Sequence, residues 1–126
     1  VSVEVALIRW AETMRGQPFV WGETDCWALV LRAIAVLGRP VRVVPWWRSE
    51  PEARRALTAV NWRDTLADAG FAAIESTPRI GDVLVVERDW PCAHICLGRA
   101  ALSSGPVNGV GLTWTRALAG ASVWRP

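Results

Sequence analysis

The spacing of apolar positions changes partway along the chain, and the change divides it into helices first and strands afterwards. Val3, Leu7, Trp10 and Met14 recur at helical spacing with Glu4, Arg9 and Glu12 outward, so residues 2–15 read as an amphipathic helix that Gly16 stops. A loop holding Gly16, Pro18 and Gly22 breaks off at Thr24-Asp25, either of which suits an N-cap. The run that follows, Cys26 to Leu37, is apolar except for Arg32 and predicts a helix buried on most of its surface, ending at Gly38 ahead of Pro40. Residues 39–49 have no clear period and read as a connector anchored by Trp46 and Trp47, which pack on the domain or meet a partner. Ser49-Glu50-Pro51-Glu52 predicts a helix start running to about Ala59, and Asn61 with Asp64 predicts another ending at Gly70. The face of Trp62, Leu66 and Ala69 would dock it on the core.

After Pro78 the period shortens. Val83 to Val86 is rich in β-branched residues and reads as a strand, Arg88 to Pro91 as a turn, and Ala93 to Leu97 as a second strand closed by Gly98. Ala100 to Ser103 predicts a third, Asn108-Gly109 a turn before Val110-Gly111-Leu112, and Val123-Trp124 a last strand. The expected class is α+β, with a small antiparallel sheet, in one domain over residues 1–126.

Composition narrows the function classes. A hydrophobic fraction of 52% with nine Trp fits a globular chain, and a net charge of +2 is too small to suggest a nucleic-acid surface. No apolar run reaches the roughly 20 residues that cross a bilayer, and Glu4 and Arg9 interrupt anything resembling a signal peptide. Three cysteines suggest no disulfide framework, which fits synthesis in a reducing cytoplasm.

The candidate chemistry lies in Cys26 and His94. Cys26 falls in the first turn of the second helix, where unpaired N–H groups and the helix dipole favour thiolate. His94 is the only histidine and sits in the second strand. A thiolate needs such an imidazole to take its proton and to protonate the leaving amine. Asp25 reads as an N-cap, and its second oxygen also suits a substrate ammonium. Cys92, His94 and Cys96 alternate on one strand face and with Cys26 would make a three-cysteine, one-histidine zinc inventory. A flat strand splays such ligands, so Cys92 and Cys96 read as small core residues, with no metal and no cofactor expected.

Pro18-Phe19-Val20-Trp21-Gly22 followed by Asp25-Cys26 resembles the P-Y-x-W-G…D-C-S-G signature of the NlpC/P60 cysteine peptidases. Gly81-Asp82-Val83-Leu84 resembles the G-D-L-V strand that precedes their catalytic histidine, and Ala93 to Gly98 is similar to their H-V-G-I-x-L-G strand, one residue shorter. The resemblance covers residues 16–104 and is strongest to small members associated with phage and prophage tails. It implies a papain-like fold with Cys26 as nucleophile, His94 as base and Ser103 (failing that, Ser104 or Asn108) as the group that orients the imidazole. It also implies substrate contacts from Asp25, Trp21, Phe19 and Trp27, on a peptidoglycan peptide. The implied setting is a virion whose parts are synthesised in the bacterial cytoplasm, with tail-tip or hub proteins as partners. Phe19 stands where members have Tyr, and Trp27 where they have Ser. The resemblance therefore implies either a peptidase or amidase used in cell-wall penetration, or a tail-tip assembly protein that keeps the fold with little or no turnover.

Overall fold

The computed structural model describes residues 2–126. Four helices come first: α1 (Val3–Met14), α2 (Cys26–Val36), α3 (Glu50–Ala59) and α4 (Trp62–Asp68). Each starts where a side-chain oxygen meets an orphan N–H: Ser2 accepts from Val5, Asp25 from Ala28, Ser49 from Glu52 and Asn61 from Arg63. α2 is the hub. Leu29, Val30, Ala33 and Ile34 are fully enclosed, and burying each of the larger three stabilises the fold by roughly 2 kcal/mol.

Six strands follow: β1 (Ala72–Ile74), β2 (Val83–Glu87), β3 (Pro91–Cys96), β4 (Ala100–Gly105), β5 (Gly109–Trp114) and β6 (Ser122–Arg125). They form one antiparallel sheet in the order β1-β6-β2-β3-β4-β5, so the class is α+β. β6 lies between β1 and β2. The short β1 and the 3-10 turn over Thr115–Leu118 were not expected from the sequence; β1 has only three residues, too few to display a period. Among the described residues no helix is long and apolar enough to cross a membrane.

Strand alternation gives the sheet two unlike faces. Val83, Val85, Ala93, Ile95, Leu102 and Val110 point toward α2 and join the main core. Leu84, Cys96, Ala101 and Val123 point the other way and form a smaller cluster with Ile74, Leu118 and Ala121. The turn into β2 is locked by Asp82, whose buried carboxylate accepts the Arg79 N–H at 2.8 Å and two Arg125 nitrogens at 2.9 and 3.1 Å. The Gly-Asp pair thus ties the start of β2 to the end of β6.

Candidate functional site

The loop from Gly16 to Asp25 is a closed clasp. Thr24 Oγ1 accepts the Val20 N–H and donates to the Pro18 carbonyl, both at 2.7 Å. Asp25 Oδ1 accepts the Ala28 N–H at 3.1 Å, while Oδ2 accepts the Gly22 N–H at 2.6 Å and the Trp47 indole N–H at 2.8 Å. Gly22 has φ +79°, and a Cβ there would run into the Trp47 carbonyl. Only glycine fits. Trp47 is therefore the buried anchor of the connector, while Trp46 stays half exposed beside it.

This clasp delivers Cys26 to the first turn of α2, as the capping pattern predicts. The thiol is buried, with 7% of the residue exposed. Burial pushes it up to about 12; the Ala93 backbone and the Trp90 side chain pull the other way, while Cys92 and Asp25 add to the rise. Desolvation therefore outweighs the helix terminus, and Cys26 is a neutral thiol at physiological pH. Its neighbours on β3 are Ala93 and Cys92. Trp90, in the turn before β3, was not foreseen; an indole in a turn carries no sequence signal for a thiol 64 positions away.

His94 does not join it. The register sets His94 opposite Leu84, which is opposite Val123, so all three share the face turned away from α2. Its neighbours along the strand, Ala93 and Ile95, point into the core that holds Cys26. Burial lowers the imidazole below the ordinary histidine range, against the opposing effect of the backbone at Leu84 and Cys92. Nδ1 is buried without a hydrogen-bond partner. The expected thiol–imidazole pair is therefore corrected: one side chain lies on each side of the sheet. A period of two makes this unavoidable once Ala93 and Ile95 carry the core.

Ser103 is also reassigned. Its hydroxyl donates to the Ala93 carbonyl at 2.7 Å, which staples β4 to β3 where their pairing ends, and it does not orient the imidazole. Ser104 Oγ is buried without a partner, and Asn108 sits in the exposed turn before β5. The zinc inventory does not assemble either. Cys96 lies on the outer face, where its thiol meets the Gly98 carbonyl at 3.4 Å, while Cys26 lies in the main core. Among the described residues no three His, Cys, Asp or Glu side chains converge.

The residues expected to bind substrate are largely structural. Both Asp25 oxygens are occupied by scaffold donors, and the residue is 3% exposed. Trp27 is buried, donates its indole N–H to the Pro91 carbonyl at 2.9 Å and packs on Trp62 at 5.7 Å. Phe19 and Trp21 stay partly exposed and stack edge to face at 4.7 Å. A groove of about 870 Å³ opens not at Cys26 but on the outer sheet face, between the 3-10 turn and the Ser76–Pro78 loop. As arranged, Cys26 has no imidazole to take its proton or to protonate a leaving amine.

No curated protein matches this chain. The chain matches the model of a family described as a domain of unknown function, DUF6950, over residues 2–125. Since it spans nearly every residue, clasp and sheet included, the chain belongs to the DUF6950 family.

Proposed function

We propose that this domain is an assembly module of a phage-like tail tip, built on a papain-like NlpC/P60 scaffold whose thiol has lost its catalytic partner. The resemblance of the Trp21-Gly22…Asp25-Cys26 and Gly81-Asp82 segments supports the scaffold. One observation supports the loss of turnover: Cys26 is neutral and enclosed in the main core, while His94 lies on the far face. The helix-start residues that serve catalysis in the resembling enzymes here serve closure of the loop.

The hydrolase reading keeps one supporting feature, a cysteine in the first turn of a buried helix. Incubation of the purified domain with muropeptides at pH 6–9, followed by mass spectrometry, separates the two. The assembly reading expects no new peptide ends, and tail particles that assemble normally with Cys26→Ala. Cleavage that disappears in Cys26→Ala would overturn it.

A further inference from the structure

The outer face of the sheet carries a groove of about 870 Å³. Leu84 and Val123 make its floor, and Leu118 of the 3-10 turn makes one wall. Arg99, Arg116 and Trp114 stand on its rim, with the Arg116 guanidinium 5.6 Å from the centre of the Trp114 ring. Trp114 is 60% exposed, a large apolar surface for a side chain with no core role.

The charged side chains that line this groove are all of one sign. Arg15, Arg54, Arg63 and Arg125 each face a carboxylate, but among the described residues neither Arg99 nor Arg116 does. No acidic side chain lines the groove. A positive rim over an apolar floor suits a ligand that carries both anionic and apolar groups. A small inorganic anion would leave the floor wet, and a nucleic acid would want a broader basic surface than two arginines. The groove reaches from Leu84 and Val123 in the middle of the sheet to Trp114 at the end of the edge strand β5, a span across several strands that suits an extended segment.

We propose that this groove docks an extended acidic segment of a partner protein. An apolar side chain enters between Leu84, Leu118 and Val123, and flanking carboxylates meet Arg99 and Arg116. This names the chemistry of a partner for the assembly reading. Its test is independent of the muropeptide assay: turnover would remove that reading, and the titration below decides only the groove.

The ¹⁵N-labelled domain is titrated with Ac-Glu-Asp-Leu-Glu-Asp-NH2 and with the neutral Ac-Gln-Asn-Leu-Gln-Asn-NH2. The expected result is saturable amide shifts at Leu84, Gly98, Trp114 and Leu118 with the acidic peptide. Binding should be at least ten-fold weaker for the neutral peptide, and for the exposed double variant Arg99→Gln/Arg116→Gln, which leaves the floor intact. Equal binding of the two peptides, undiminished binding to the double variant, shifts centred elsewhere or no saturation by 10 mM would each overturn the proposal. So would stronger occupation of the same amides by duplex DNA or by phosphatidylglycerol vesicles.

Discussion

Asp25→Ala is expected to destabilise the domain by about 3–4 kcal/mol, a large share of the roughly 5–15 kcal/mol that holds a domain of this size together. The carboxylate has three donors to lose. The Ala28 N–H is an N-cap bond, worth about 1 kcal/mol. The Trp47 indole N–H is buried and the Gly22 N–H part-buried, so stranding them costs roughly 1–3 kcal/mol for the first and less for the second, with incomplete additivity. Urea unfolding should show a lower midpoint at an unchanged slope, and the melting temperature should fall by roughly 10 °C. Asp25→Asn keeps an acceptor of the same size and should lose about half as much. Unchanged stability in Asp25→Ala would mean that the carboxylate is held in reserve for a ligand after all.

The second large effect is on the reactivity of Cys26. With its thiol pushed from the ordinary 9.0 up to about 12, the thiolate fraction at pH 8 falls about a thousand-fold. Iodoacetamide at pH 8 should therefore modify Cys92, which is half-buried, well before Cys26, as read by mass spectrometry of the peptides. Cys26 should react at least a hundred-fold faster once the chain is unfolded in urea. The same shift has a stability consequence of defined sign. Between about 9 and about 12 the unfolded thiol gives up its proton while the folded one keeps it, so stability falls as pH rises through that window. Cys26→Ala should flatten the fall. A native Cys26 that alkylates fastest of the three would contradict the buried, neutral thiol.

Much of the fold is legible in the chain because its signals are local. Ser49-Glu50-Pro51 starts α3, Asn61 starts α4, and the β-branched run at Val83 starts a strand, each decided by neighbours within one turn. β3 and β4 likewise follow from alternation bounded by Gly98. The candidate site was legible only in part, because its chemistry depends on which way a strand faces. The sequence shows that Cys92, His94 and Cys96 share a side; it does not show which side meets α2. That choice belongs to Ala93 and Ile95, which fill the space beneath the helix. The Trp-Gly…Asp-Cys segment is a similar case. The same residues serve a catalytic helix start or a loop clasp, and only the Trp47 indole, 22 positions away, distinguishes them. The groove over Leu84 left no sequence signal, since Arg99 and Arg116 meet there only through the fold.

The central claim is that the thiol and the imidazole lie on opposite sides of the sheet and titrate independently. NMR titration of the His94 ring carbons, in the native domain and in Cys26→Ala, tests it most directly. The account predicts a pKa below the ordinary histidine range, from burial, and the same value in both proteins. A value well above that range in the native domain, falling when the sulfur is removed, would reveal a thiolate–imidazolium pair and contradict it.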